Sequence, residues 1–277
     1  QLESLVAHLR PSRLYQNGFD HFLIVGGVGR SGTTAFGNVL NKFLGVNSRL
    51  FIFTERYNWK LPYSPSSFLH EFIFQEDLRN SSKSIQEKFG KYVHDPKAYE
   101  EIRFIGDKRP GASYMLEVND LFFSHQKKKL LYLHLYRNPT PTALSWEKRA
   151  LDANDRWPKS WGSEMMAKHY ISQSNIALEF ATSSRLKSID TRLVDYDRFF
   201  FDETYCGKCF DFITSQLGLP AAKSFLGSEE VDHFISENKD YLERRRALNA
   251  DYSPCLKSSP MLNKSHEVYR ALLANDA

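Results

Sequence analysis

Residues 22–34, FLIVGGVGRSGTT, decide the fold of this chain, because an apolar segment runs there directly into a glycine-rich loop. The apolar residues at 22–25 predict a buried β-strand. Beyond the loop, apolar side chains recur at helical spacing, at Phe36, Val39, Leu40, Phe43 and Leu44. A strand, a glycine loop and a helix N-terminus together hold phosphates in proteins, because the N–H groups of the first helical turn have no intrahelical acceptor and point towards an anion. The stretch therefore predicts a binding site for a phosphorylated ligand.

Two general kinds of phosphate-binding loop compete for residues 27–32. The nucleoside-triphosphatase P-loop matches their G-x-x-x-x-G frame, and Thr34 falls where a Mg²⁺-binding hydroxyl is needed. However, Thr33 stands in place of the essential lysine, which disfavours this interpretation. The dinucleotide fingerprint G-x-G-x-x-G also matches, with Glu55 near the distance at which an acid binds a ribose hydroxyl.

A third interpretation accounts for more of the loop. A strand that ends in G-x-x-R-S-G-T-T resembles the 5′-phosphosulfate loop of sulfotransferases that use 3′-phosphoadenosine 5′-phosphosulfate (PAPS). The resemblance implies that Arg30 contacts the bridging and sulfuryl oxygens. It implies that the 5′-phosphate is held by the rest of the loop, Gly29, Ser31, Gly32, Thr33 and Thr34. It also implies PAPS as co-substrate, 3′-phosphoadenosine 5′-phosphate (PAP) as product, and no metal ion.

A second motif distinguishes the sulfotransferase interpretation from the dinucleotide one. Residues 130–136, LLYLHLY, predict a strand that ends at Arg137, and residues 142–150 predict a helix after Pro139. This order is similar to the 3′-phosphate site of the sulfotransferase family, which implies that Arg137 and Ser145 hold that phosphate. A guanidinium and a facing hydroxyl can bind one phosphate from two sides. A nicotinamide dinucleotide does not require this second anion site.

Transfer to a hydroxyl or an amine also needs a base and a stabiliser of negative charge. By resemblance Glu55 is the candidate base, although pairing with a surface cation is nearly as good an interpretation. His134 is the other candidate, but a histidine inside an apolar strand is more often a core residue. Residues 104–110 resemble the family's D/N-K-x-P segment, which implies that Lys108 faces the transferring group together with Arg30.

Residues 192–219 carry the last part of the resemblance. They predict a strand followed by a turn at Tyr196, and then an amphipathic helix over residues 209–217 that Gly218 closes. Tyr196 is expected near the nucleotide, with core packing as the equally good alternative. At the start of that helix, Cys206 and Cys209 form a lone C-x-x-C, for which a local disulfide or two free thiols are the expected states.

Length and composition are ordinary for a globular protein. The chain has 277 residues, 42% of them hydrophobic, which is ample for one α/β domain with a central, mostly parallel sheet flanked by helices. We expect a single sulfotransferase domain over residues 1–277, with its nucleotide-binding core at about 20–220 and a helical or loop segment at 221–277. The formal net charge of +4 fits an anionic cofactor and does not call for nucleic acid.

No window of the sequence has the length and apolarity of a membrane span. A cytoplasmic location is therefore expected. Because the sequence starts at Gln1 rather than Met, the Golgi lumen is the alternative if an anchor has been trimmed.

The sequence thus predicts a sulfotransferase that moves a sulfuryl group from PAPS to an acceptor by in-line displacement. The alternatives are an NAD(P)-binding oxidoreductase and a non-catalytic nucleotide-binding protein of the same fold. Residues 57–100 and 152–163 are rich in aromatic side chains, and the resemblance implies that they form the acceptor pocket. They do not separate a glycan from a small alcohol, a peptide or a carrier-bound acyl chain.

Overall fold

The centre of the fold is a parallel β-sheet. A computed structural model describes residues 21–44, 50–54, 104–125, 127–218, 227–252 and 259–276 of the protein. Within these ranges the strands are β1 (His21–Gly27), β2 (Leu50–Thr54), β3 (Phe104–Lys108), β4 (Lys129–Tyr136) and β5 (Ile189–Asp195). They lie in the order β2-β3-β1-β4-β5, and every pair of neighbours is parallel. The predicted α/β class is confirmed.

Helices connect and cover these strands. In chain order, the described helices are α1 (Thr33–Leu44), a short 3-10 helix (Ala112–Met115), α2 (Leu116–His125), α3 (Pro139–Leu151), α4 (Ser163–Thr182), α5 (Tyr196–Phe201), α6 (Glu203–Gln216), α7 (Glu229–Tyr252) and α8 (Pro260–Asn275). None of the helices in the described ranges combines the length and apolar character that crossing a membrane requires.

Both faces of the sheet are buried. The sequences of the central strands are therefore continuous apolar runs rather than alternating ones. Along β1, Phe22 and Ile24 join one core, whereas Leu23 and Val25 join the core on the opposite face. All residues of β4 except the first are buried. The C-terminal helices complete both cores, since α8 packs with the Phe22 core and α7 with the Leu23 core.

The order of the strands creates a crevice between the carboxyl ends of β1 and β4. Helix α1, which follows β1, packs through Phe36 and Leu40 in the core on one face of the sheet. Helix α3, which follows β4, packs through Ala143 and Trp146 in the core on the other face. Open α/β sheets bind ligands where neighbouring connections leave in opposite directions, so this crevice is the expected ligand site.

Two helices begin earlier than the sequence predicts. Helix α3 begins at Pro139 rather than at residue 142, because the Asn138 side chain caps it by accepting a hydrogen bond from the Thr140 N–H at 2.9 Å. Helix α6 begins at Glu203 rather than at 209, and the Asp202 side chain caps it. Both caps are Asn or Asp residues, which the hydrophobic periodicity does not register.

Where the sequence predicts a turn after the strand, the structure has the short helix α5, which begins at Tyr196 and is capped by Asp195. Gly218 closes the next helix as predicted, with a left-handed φ of 59°. Cys206 and Cys209 are free, buried thiols on α6, so the disulfide alternative is wrong. Burial raises the pKa of both thiols, that of Cys209 to about 12, so neither is a reactive thiolate.

Candidate functional site

A cavity of about 1220 Å³ opens at the carboxyl ends of β1, β3 and β4. Pockets for one drug-sized ligand measure roughly 300–1,000 Å³, so this cavity has room for a nucleotide and a second substrate. Its lining includes most of the residues that the sequence predicts for the site, namely Gly29, Arg30, Gly32, Thr33, Thr34, Lys108, Arg137, Ser145 and Tyr196. These residues come from four separate segments of the chain, and the sheet brings them to one edge.

The loop between β1 and α1 has the backbone shape of an anion-binding turn. Gly27 and Gly32 have φ angles of 138° and 99°, and Arg30 has a left-handed φ of 71° that a non-glycine residue rarely adopts. The Ser31 N–H donates to the Val28 carbonyl at 3.0 Å and tightens the turn. Strained backbone of this kind is found where the surrounding structure holds a functional loop in place.

Ser31 differs from its neighbours in the loop. Its side chain is fully buried and lies beneath the loop, 3.0 Å from the position that a Cβ on Gly27 would take. Its hydroxyl has no hydrogen-bond partner among the described residues. Thr33 and Thr34, in contrast, line the cavity in the first turn of α1.

Two side-chain hydrogen bonds join helix α3 to the loop between β1 and α1. The Arg30 Nε donates to the Ser145 Oγ at 3.2 Å, and the Trp146 Nε1 donates to the Gly29 carbonyl at 2.7 Å. The two partners of the first bond are 115 residues apart in the chain. The segment predicted for the 5′-phosphate and the helix predicted for the 3′-phosphate are therefore in direct contact.

Arg137 lies at the end of β4 and is held from three sides. Its guanidinium contacts the Asp197 carboxylate at 3.3 Å and lies over the Tyr196 ring at 4.6 Å. The Tyr170 hydroxyl donates to its backbone carbonyl at 2.9 Å. The Arg137 Nε is buried and has no hydrogen-bond partner within the described part of the chain, so a donor remains available at this edge of the cavity.

Tyr196 contacts both of the segments that the sequence predicts to bind phosphates. A Cβ on Gly32 would lie 2.1 Å from the Tyr196 ring, so only glycine allows this close approach. The Arg137 guanidinium also lies over this ring, 4.6 Å from its centroid. Tyr196 is 95% buried, so the structure combines the two roles that the sequence left open, contact with the site and core packing.

Lys108 is the last residue of β3, and it lines the cavity. Its side chain is only 3% exposed, and its Cβ lies 3.6 Å from the position that a Cβ on Gly37 would take. At this distance the lysine stem passes close to α1, within ordinary van der Waals contact of a Cβ at Gly37. The next residue, Arg109, also lines the cavity, and its N–H donates to the Val25 carbonyl at 2.8 Å.

Neither candidate base is among the described residues that line the cavity, and the reasons differ. Glu55 lies outside the described residues. His134 is fully buried in β4, where its Nδ1 is 3.0 Å from the Tyr132 hydroxyl, and burial lowers its pKa to about 3. A neutral histidine inside the core has no access to the cavity, so His134 is a structural residue.

Several residues of the cavity were not predicted individually. Trp146, His169 and Gln173 line it from α3 and α4, and Asp197 binds Arg137 from behind. A histidine and a glutamine four residues apart on one helix carry no signal of their own in a sequence. Within the described ranges, no three His, Cys, Asp or Glu side chains are grouped so that they could hold a metal ion.

Asp195, the last residue of β5, makes the stability of the protein depend on pH. Its buried carboxylate accepts from the N–H groups of Asp197 and Arg198, and burial raises its pKa from 3.8 to about 6. Between these two values the folded protein holds more protons than the unfolded chain, so the contribution of Asp195 to stability falls as pH rises from about 3.8 to about 6 and is constant above.

Asp195→Asn keeps a capping side chain and removes this titration. We expect the free energy of unfolding of the native protein, minus that of the variant, to decrease over this window and to stay level at higher pH. Denaturant unfolding of both proteins at a series of pH values measures the difference. A difference that does not change with pH would contradict the burial of this carboxylate.

Among known proteins, the similarities of this chain are to solved structures. No protein-family model matches it, and neither does any curated protein. Among solved structures, the sulfotransferase domain from the Synechococcus PCC 7002 olefin synthase is 15% identical, with 91% of this chain and 95% of that chain covered and a TM-score of 0.48. The sulfotransferase domain from the curacin biosynthetic pathway is 14% identical, with 92% and 98% covered and a TM-score of 0.49. At such values, a functional assignment has to come from the residues of the chain itself.

Proposed function

We propose that this protein is a sulfotransferase that moves a sulfuryl group from PAPS to an acceptor hydroxyl or amine. The observation that carries the proposal is the hydrogen bond between Arg30 and Ser145, which joins the two segments that the sequence predicts to bind phosphates, both on a single cavity. A ligand with phosphates at two separate positions suits such an arrangement. PAP and PAPS are ligands of this kind.

The residues present fit the nucleotide. The buried Arg137 Nε, which has no partner among the described residues, and the Ser145 hydroxyl would hold the 3′-phosphate. The first-turn N–H groups of α1, together with the hydroxyls of Thr33 and Thr34, would hold the 5′-phosphate. Tyr196 fixes the distance between the two segments through its contacts with Gly32 and Arg137.

PAPS supplies an activated sulfuryl group when it is bound. In the transfer, the bond from sulfur to the bridging oxygen breaks as the bond from sulfur to the acceptor atom forms. Arg30 and Lys108 stabilise the negative charge that grows on the bridging oxygen, as positioned cations do in phosphoryl transfer. The proton of the acceptor passes to a base, a role that we propose for Glu55.

A calorimetric titration with PAP, run beside NADH and beside ATP with Mg²⁺, tests this function. We expect PAP to bind and the other two nucleotides to bind far more weakly. Arg137→Ala should weaken PAP binding by about 10- to 100-fold, because a hydrogen bond to a charged group contributes roughly 1.5–3 kcal/mol.

Arg185→Ala is the matched control. This arginine is exposed and pairs with Glu117 and Glu179, away from the lining of the cavity, so the variant removes the same charge without touching the site. Binding of NADH in place of PAP would contradict the proposal and favour an oxidoreductase. Tight PAP binding without transfer from PAPS to any acceptor would instead indicate a non-catalytic nucleotide-binding protein.

A further inference from the structure

One end of the cavity is walled by aromatic rings that the nucleotide site does not use. We call Trp146, Trp157, Trp161 and His169 the aromatic corner; all four line the cavity. Trp146 and Trp161 are stacked, with ring centroids 5.6 Å apart and planes 13° from parallel. Trp157 stands edge-on to both, at 4.9 and 5.5 Å. The stacked pair is too close to admit a third ring between its members, so the corner offers a flat face and no slot.

That face is held rigidly. The Trp146 Nε1 donates to the Gly29 carbonyl, and the Trp157 Nε1 donates to the Trp161 carbonyl at 2.8 Å. Arg149 lies over the Trp157 ring at 4.5 Å and binds both carboxylate oxygens of Asp155, at 2.6 and 2.9 Å. Trp161 nevertheless remains 38% exposed. A preorganised aromatic face of this kind binds a ligand at a low entropic cost.

A hydrogen-bonding wall lies next to the aromatic face. Gln173 lines the cavity one helical turn after His169 on α4, and it is only 4% exposed. Its side-chain carbonyl oxygen is buried without a hydrogen-bond partner among the described residues. A buried carbonyl in this state favours a ligand that brings a donor. His169 is 3.4 Å from the Tyr114 hydroxyl, and burial lowers its pKa, so the wall is uncharged at neutral pH.

We propose that the aromatic corner and Gln173 form the acceptor subsite of this enzyme and that they bind the pyranose ring of a glycan. A pyranose has a face of C–H bonds that packs on an indole, and a rim of hydroxyls of which one donates to the Gln173 carbonyl. The inference rests on the proposed function, since it names the acceptor of that reaction.

The subsite lies next to the loop that carries Arg30, and its lining favours a pyranose over other acceptors. Trp146 is bonded to Gly29, the residue before Arg30, so a ring on the corner brings its hydroxyls to the phosphate loop. An alkyl chain would leave the Gln173 carbonyl unpaired and would meet the charged side chains of Lys148 and Asp152, which also line the cavity. A phenol also stacks on a flat indole face, but its single hydroxyl offers fewer donors to this wall than the hydroxyl rim of a pyranose does.

Ligand-detected saturation-transfer NMR in the presence of PAP tests the subsite without relying on turnover. The probes are methyl β-D-galactopyranoside, 4-methylphenol and 1-octanol. We expect saturation of the ring C–H protons of the glycoside. Trp161→Ala should weaken glycoside binding by about tenfold, Trp161→Phe by less, and Gln173→Leu by several-fold, with PAP affinity kept in all three. Leu151→Ala, at an exposed residue outside the cavity lining, should leave glycoside binding unchanged.

The same variants are then assayed for sulfuryl transfer from PAPS to each probe, where the loss should appear in the KM for the glycoside. Binding of PAP with transfer to the phenol or the alkanol, and none to the glycoside, overturns the inference and leaves the proposed function in place. Glycoside binding that Trp161→Ala does not weaken also overturns it. A failure to bind PAP at all removes the proposed function, and this inference with it.

Discussion

Arg30→Ala is expected to slow sulfuryl transfer by about 10²- to 10³-fold, the loss typical of removing one preorganised charge stabiliser. The Arg30 side chain is oriented by the Ser145 hydroxyl 3.2 Å from its Nε, so the guanidinium is in place before the reaction begins. In the proposed transfer, the contribution of Arg30 is largest when negative charge grows on the bridging oxygen. The affinity for PAP, which lacks the sulfuryl group, should therefore fall much less than the rate. Steady-state transfer from PAPS and calorimetry with PAP measure the two effects separately.

Two further variants separate the charge of Arg30 from the shape of its backbone. Alanine has the same difficulty as arginine with the left-handed φ of 71°, whereas Arg30→Gly removes that strain. If the guanidinium is responsible, the alanine and glycine variants lose rate equally and Arg30→Lys recovers a part of it. A loss of PAP affinity as large as the loss of rate would mean that Arg30 only binds the nucleotide, which contradicts its role in the transfer.

Gly27→Ala is expected to destabilise the protein by about 3 kcal/mol or more, the combined cost of a strained backbone and an overpacked contact. Gly27 has a φ of 138°, and a Cβ there would lie 2.3 Å from the Leu135 carbonyl oxygen. That oxygen belongs to the backbone of β4, so it cannot move aside without disturbing the pairing of β1 with β4. Nucleotide binding should be lost together with stability, since the loop begins at this residue.

Gly218→Ala is the matched control, because it separates backbone conformation from contact. Gly218 also has a positive φ, 59°, but among the described residues, its chain neighbours aside, no atom lies within 4 Å of the position that its Cβ would take. Its substitution should lower the free energy of unfolding by about 1–2 kcal/mol. Guanidinium unfolding of the native protein and both variants gives the comparison. Equal losses at the two positions would show that the contact with β4 has no effect.

The local units of the fold could be predicted from the sequence because each carries its own pattern. The apolar run before Gly26 and the helical spacing after Thr33 gave β1, the loop and α1, and the run at 130–136 gave β4 with Arg137 at its end. The boundaries were less accurate where polar caps decide them, as at Asn138 and Asp202. A cap acts through a single hydrogen bond, and a periodic pattern does not contain it.

The candidate site was predictable only as a set of residue types. The sequence motifs identified Arg30, Ser145, Arg137 and Lys108 as site residues. A motif does not give the distances between the side chains. The contact between Arg30 and Ser145 exists because β1 and β4 are neighbours in the sheet, which follows from the pairing of whole strands. In the same way Tyr196 meets Gly32 because β5 lies beside β4.

By itself, the sequence determined an α/β chain and the positions of the glycine loop and of Arg137 at the end of β4, since these depend on short-range periodicity and on residue types at fixed spacing. Only the tertiary structure decided that Tyr196 joins the two sites, that His134 is inaccessible, and that Trp161 and Gln173 face the same cavity. The physical reason is that the burial and the hydrogen bonds of a side chain depend on residues that are distant in the sequence. Which of these residues become neighbours is decided by the order of the strands in the sheet.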